Sequence, residues 1–402
     1  MLLFGRYFLA CTLLVTTATP PLLAGVTEQK NGLIEDVSSV SSRAEVSRAI
    51  AAGADYLEHA CDADGKFAYR INLRTGKVAY SYNVVRHAGA MYALAMLYRT
   101  QGDSRAAAAL LLAAAYLRQN YIDLGPHPDQ LVVWSAPLPK HSEAKLGATG
   151  LGLVVLTAAH EVDPKSMPLE QLQAMGRFLL FLQKEDGSFI SKYNVDSGPV
   201  LDWESLYYPG EAALGLIAMY EADHSRQWLD AAAKALSYLA KSRAGISTVP
   251  PDHWALIATA KLLPYCEKAA CPTSRRQLIQ HAIQICNSIL REQITSPFRS
   301  RLDGAFDTDG RTAPAATRLE GLLAALEFLP KEYNELREKI ETATAKGIAF
   351  LLRAQIKSGP YVGGMPGAEV SADEEASTIR IDYVQHALCA WLRYRELLQK
   401  RG

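Results

Sequence analysis

The chain predicts an all-α protein, an (α/α)6 toroid in which six helical hairpins close into one barrel. Amphipathic helical segments alternate with short buried ones six times, and three of the links between them carry related turns. Composition is compatible with this: 402 residues, 49% hydrophobic and 21% charged, are enough for one large helical domain. Lys+Arg and Asp+Glu both total 42, for a formal charge of zero. That balance lacks the basic excess of a phosphate-backbone binder, so nucleic acid is not an expected partner.

The first 24 residues, "MLLFGRYFLACTLLVTTATPPLLA", read as a cleaved export signal. Arg6 gives a positive start, Tyr7 to Val15 an apolar stretch too short to span a bilayer, and Leu22-Leu23-Ala24 a cleavage site. Cys11 offers lipid attachment as the alternative. Residues 25–42 are polar and aperiodic, a tether ahead of a single domain over 43–402. A periplasmic or secreted protein is expected, with no membrane span once the signal is removed. Five cysteines remain, an odd number, so this is no disulfide scaffold, although Cys266 and Cys271 flank a loop short enough to bridge.

Ser42 and Glu45 form a capping box ahead of the first helix. The amphipathic segments lie at about 43–61, 104–120, 168–184, 225–243, 274–293 and 333–355, with charge on one face and Ala/Leu on the other. These form the outer ring. "RHAGAMYALAMLY", "KLGATGLGLVVLTAAH", "YPGEAALGLIAMYE", "DHWALIATAKLL", "TRLEGLLAALEFL" and "DYVQHALCAWLRY" are apolar after their first turns and form the inner ring. Their glycines and alanines let backbones approach closely. An open solenoid of the same hairpins is the alternative.

Five inner helices begin with ionisable residues: Arg86 and His87, Glu211, Asp252 and His253, Arg318 and Glu320, Asp382 and His386. In a closed ring the inner helices run the same way, so these heads meet in one funnel, where helix N-termini add partial positive charge. Asp252 and Asp382 also have the form of N-caps. Aromatic residues gather at the same end: Tyr82, Trp203, Tyr207, Tyr208, Trp254 and Tyr383. "SGPVLDWESLYYPGEAA" adds Asp202 to Trp203, Glu204 and the two tyrosines. Aromatic faces suit the C–H faces of sugar rings, while carboxylates suit their hydroxyls.

The stretch Gln183-x-x-Asp186-Gly187-Ser188-Phe189 resembles the turn motif of squalene-cyclase-type and prenyltransferase-type toroids. As architecture, residues 43–396 resemble the six-hairpin glycosidase-like superfamily. That resemblance implies a glycan or oligosaccharide substrate at the loop-rich end. Hydrolysis by a carboxylate pair is the leading expectation, with Glu211 as acid, Asp252 as base and Glu320 and Asp202 as further carboxylates. The second is an epimerase or polysaccharide lyase. His253 and His386 are placed similarly to the catalytic pair of N-acylglucosamine 2-epimerase-type toroids, which implies proton transfer by both and substrate binding by Arg86. "YNVVRH" (82–87) is similar to a segment of glucuronyl C5-epimerases. A non-catalytic glycan- or protein-binding repeat protein is the third. No Cys/His spacing matches a zinc site, and residues 302–312 lack the closing acid of an EF-hand loop, so neither metal nor cofactor is expected.

Overall fold

A computed structural model describes residues 41–401, apart from 141, 271, 296–300 and 371–373. The expected signal at 1–24, nearly all of the tether and Cys271, with its pairing to Cys266, lie outside the described residues. The outer helices are α1 (Arg43–Ala60), α3 (Ser104–Tyr121), α5 (Leu169–Leu182), α7 (Arg226–Ser242), α9 (Arg275–Glu292) and α11 (Asn334–Ala354). The inner helices are α2 (Val84–Gln101), α4 (Leu146–Val162), α6 (Tyr208–Asp223), α8 (His253–Leu262), α10 (Thr312–Phe328) and α12 (Ile381–Arg401). Each inner helix packs on the inner helices before and after it, and α12 packs on α2. The ring is therefore closed, and the chain is an (α/α)6 toroid. No helix among the described residues is long and apolar enough to cross a membrane.

Local chemistry sets the helix ends. Ser42 and Glu45 form the expected capping box, and Ser274 with Gln277 repeats it on α9. Gly102 ends α2 in the left-handed conformation that glycine adopts without a Cβ clash. The helix α10 begins at Thr312, five residues ahead of the expected segment, because Pro314 falls in its first turn, where proline is tolerated. Glu320 consequently lies in the third turn, deep in the ring.

The inner ring is tight because its contacts are made by the smallest residues. A Cβ built on Gly215 of α6 would stand 2.5 Å from the Gly150 carbonyl oxygen of α4. One on Gly210 would stand 2.7 Å from the Ala255 nitrogen of α8, and one on Gly321 of α10 3.0 Å from the Cα of His253. Leu146 through Ala159 of α4 are all buried, which accounts for a helix apolar on every side.

The links from outer to inner helices also hold short strands that the sequence reading did not anticipate, since three residues are too few for alternation to register. They are β1 (Arg70–Asn72), β2 (Ile122–Leu124), β3 (Leu131–Val133), β4 (Glu143–Lys145), β5 (Lys192–Asn194), β6 (Gly198–Val200) and β7 (Thr378–Arg380). The antiparallel pair β1–β7, with Arg70 opposite Arg380, joins the first link to the last. β2 pairs with β3, and β4, β5 and β6 form one small sheet.

A repeated joint ties successive outer helices. Gln183 donates to the Ala231 carbonyl of α7 at 2.9 Å, Gln293 to Ala343 of α11 at 2.8 Å, and Gln355 to Ala49 of α1 at 3.0 Å. In each case a glycine at positive φ then lies flat on the carbonyl three residues further along: Gly187 on Lys234, Gly304 on Lys346, Gly363 on Ala52. Gly65 lies on Leu112 in the same way, with the Cys61 thiol facing Ala109. The shared turn is thus a clamp on the neighbouring hairpin. A fourth copy, at Gln293 and Gly304, escapes the sequence pattern because ten residues separate its two parts.

Gly215→Ala is expected to destabilise the protein by roughly 1–3 kcal/mol, because its methyl group meets backbone rather than a movable side chain. Gly53→Ala in α1 places its methyl 3.7 Å from its nearest neighbours and should be neutral or stabilising by up to about 1 kcal/mol. Urea unfolding of both variants checks the pair, and equal effects would contradict the close-contact account.

Candidate active site

Residues of all six inner helices line a cavity of about 380 Å³ at the end where their N-termini meet. A larger groove of about 810 Å³ runs outside the ring along α1 and α11, but it contains none of the site's histidines. The chemistry therefore belongs to the smaller space.

His253, the first residue of α8, is buried on the cavity wall, and neither of its ring nitrogens has a hydrogen-bond partner among the described residues. Burial holds its pKa well below 6.5, and the neighbouring His386 and Arg318 push the same way. It is therefore a neutral imidazole with a lone pair free for substrate. His386 of α12 stands edge-on to it, 5.5 Å between ring centres. Its Nδ1 meets Glu320 Oε1 at 2.6 Å and the Gln385 amide at 3.0 Å. The short carboxylate contact places the proton on Nδ1 and leaves Nε2 for the cavity. Glu320 is fully buried, and burial raises its pKa against the opposing pull of His386 and Arg393. Its position behind His386 makes it the group that orients that ring.

Like Glu320 at its own Oε2, Glu211 of α6 has an unsatisfied oxygen among the described residues. Its Oε2 has no partner, and burial, with a smaller contribution from Asp252, raises its pKa to about 8. At neutral pH it is mainly the protonated acid. Gly147 of α4 makes this position available, since a Cβ there would collide with both Glu211 Oε2 and the Tyr208 ring.

One wall is a ladder of alternating charge. Asp382 accepts from Arg86 Nε at 3.1 Å and from Arg380 Nε and Nη2 at 2.6 and 3.0 Å. Arg380 also reaches Glu375 at 3.3 Å, and Glu375 accepts the Tyr383 hydroxyl. Arg86 additionally donates to Tyr69. On another wall Arg318 is held by Glu292 at 2.5 Å and by the Pro314 carbonyl at 3.1 Å, which leaves its Nη2 without a partner among the described residues. Tyr207 and Trp254 complete the lining around His253, at ring distances of 5.4 and 4.9 Å.

Several candidates from the sequence stand elsewhere. Asp252, expected as a general base, is fully buried outside the cavity lining. It caps α8 through the Ala255 N–H at 3.0 Å and pairs with both terminal nitrogens of Arg243 at 3.1 Å, so both oxygens are occupied. The carboxylate pair Glu211/Asp252 is therefore not available to one substrate. His87 is a satisfied core residue: the Tyr82 hydroxyl meets its Nδ1 at 2.7 Å, and its Nε2 donates to the Ala113 carbonyl at 3.0 Å. Burial lowers its pKa to about 4, and Tyr82 is spent on it and on the Phe67 N–H. Asp202 is exposed on the link before α6, and Trp203 and Tyr208 lie beside the cavity rather than in it. The sequence reading missed Arg311, Glu375, Arg380 and Gln385. Arg380 and Gln385 flank Asp382 and His386 closely enough for that neighbourhood to have signalled them. Glu375 and Arg311 come from irregular links with no periodic pattern to mark them.

No protein-family sequence model matches the chain, and no curated protein sequence does. Solved structures do. A cellobiose 2-epimerase from Bacillus thermoamylovorans matches with a TM-score of 0.62 at 13% identity, over 89% of this chain and 100% of that one. A D-mannose isomerase matches with 0.61 at 12%, over 89% and 98%. An α-1,6-mannanase from Salegentibacter matches with 0.58 at 12%, over 89% and 100%. The fold is the six-hairpin toroid. At such low identity the likeness concerns the fold, so the chemistry rests on the side chains above.

The raised pKa of Glu211 fixes the sign of a stability effect. Between about pH 4.5 and 8 the folded chain keeps a proton that the unfolded chain releases, so this group's contribution falls as pH rises through that window. Glu211→Gln is expected to gain stability relative to the parent protein steadily from about pH 4.5 to 8. Denaturant unfolding across that range checks it, and a constant difference would place the group's pKa near its ordinary value.

Proposed function

We propose that the protein is a carbohydrate epimerase or isomerase that moves a proton at a carbon beside a carbonyl or carboxylate group. The observation that carries this reading is the buried, unpartnered imidazole of His253, facing a His386 held in one orientation by Glu320. Two imidazoles bordering one space suit removal of a proton from carbon and its return. His253 takes the proton, the C–H electron pair passes to the adjacent carbonyl, and the developing oxyanion is met by the neutral Glu211 acid and the Arg318 guanidinium. His386, oriented by Glu320, returns a proton from Nε2. The two rings then exchange protonation states, and equilibration with water resets them.

Arg86, Arg311, Arg318 and Arg380 all line the cavity, each paired with a protein carboxylate, and a guanidinium-rich lining of this kind supports an acidic sugar such as a uronate. Solved toroids of this shape include both epimerases and mannanases, so the fold supports either reaction. The position of Asp252 removes the pair it would have made with Glu211, and the facing rings of His253 and His386 support the first. The N-terminal segment, read as an export signal, supports action on a glycan outside the cytoplasm.

The test is incubation in D₂O with neutral and uronate oligosaccharides, followed by proton NMR. One carbon is expected to take up deuterium, with the rate falling at least about 100-fold in His253→Ala. New reducing ends without deuterium, lost in Glu211→Gln, would replace this reading with hydrolysis.

A further inference from the structure

Beside the cavity, the small sheet contains an arrangement that costs stability. Strands β4 and β5 set Lys145 directly opposite Lys192. Like charges in that register repel. A single carboxylate, Glu143, lies between them, 3.6 Å from Lys145 and 3.4 Å from Lys192. Both lysine side chains are largely covered, 27% and 22% exposed, so the repulsion is not relieved by swinging into water. The Lys192 ammonium stands 4.2 Å from the centre of the Trp203 ring. Trp203 is itself 39% exposed, so its ring is open to a ligand.

These groups lead directly into the site. The Trp203 ring centre is 5.8 Å from that of Tyr208. Tyr208 and Glu211 pack together over Gly147, two residues beyond Lys145. An exposed indole, a second aromatic ring and the cavity acid thus stand in sequential contact, with the Lys192 ammonium over the indole.

We propose that Trp203, Lys192 and Lys145 form a second subsite, which takes an acidic sugar unit adjoining the one that reacts in the cavity. This rests on the proposed reaction for what occupies the cavity, and it makes the substrate an acidic oligo- or polysaccharide rather than a free sugar. The indole supplies a flat apolar surface for the C–H face of the sugar ring. The lysines, which share one carboxylate between them, have the capacity to accept a second from the ligand, and the ligand's charge relieves their repulsion.

Binding is measured by calorimetry with galacturonate and mannuronate chains of one to four units and neutral chains of equal length. In the parent protein the two-unit uronate is expected to bind about tenfold or more tightly than the single unit. Trp203→Ala should abolish that gain while leaving single-unit binding unchanged, and Trp203→Phe should keep most of it. Lys192→Gln should reduce the gain for uronate chains only, with an effect that shrinks at high salt. Thermal unfolding of each variant identifies any that has lost the fold, and the Trp203→Phe comparison then carries the test. A gain with chain length that survives in Trp203→Ala, no gain at all, or no binding of any chain would overturn the subsite. The proposed reaction fails separately: a Trp203-dependent gain without deuterium uptake would remove the reaction and keep the subsite. Deuterium uptake with no dependence on chain length or Trp203 would do the reverse.

Discussion

Everything at the cavity depends on how near the inner helices come to one another. Where Gly150 meets Gly215, and where Gly210 and Gly321 meet α8, backbone rests on backbone with no side chain between. Helices carrying Leu or Val at those positions would stand further apart, and His253, Glu211, Glu320 and His386 would no longer share one small space. Glycine is costly inside a helix, by about 1 kcal/mol each relative to alanine. The ring accepts that cost repeatedly, and the extensive burial of its inner helices offsets it.

Polar groups left without partners among the described residues occur in several parts of the core, Tyr56 and Trp391 among them, and those on His253 and Glu211 belong to residues that line the cavity. The interior holds several titratable residues, and most are fully engaged: His87 by a tyrosine and a carbonyl, Asp252 by an arginine and its own helix end. His253 and Glu211 occupy comparable depth without partners. A buried polar group with nothing to bond costs about 1–3 kcal/mol, and such groups are few in stable folds. Two of them opening on one cavity, next to an oriented His386 and a free Arg318 terminus, make a place prepared to receive polar atoms from outside the protein.

The fold was largely legible in the sequence because its signals are long. Amphipathic segments, which fold as outer helices of 14 to 21 residues, alternate with Gly/Ala-rich ones and declare both ring positions, and the outer helix boundaries fall within two residues of the expected ones. Helix heads were legible as a group but not singly. Arg86 and His87 are adjacent, yet a helix turns about 100° between them, so Arg86 faces the cavity and His87 faces α3. The same step separates the capping Asp252 from His253. What the sequence concealed comes from links: strands of three residues, Glu375 on an irregular segment, and the β4–β5 register that opposes two lysines 47 positions apart.

The clamps between outer helices have a topological consequence. The joint made by Gln355 and Gly363 holds α11 to α1, the two ends of the outer ring, with the same geometry that Gln183 and Gly187 use inside the chain. The β1–β7 pair closes the loop-bearing face across the same seam, and Arg43 reaches the Leu398 carbonyl. The seam between first and last hairpins is therefore held by the same kind of joint as the α1–α3, α5–α7 and α9–α11 intervals. Covalent order around the circle carries little of the architecture. A chain reopened at the exposed bend near Gly245, with residues 43 and 398 joined by a short linker, would rebuild the same barrel around the same cavity.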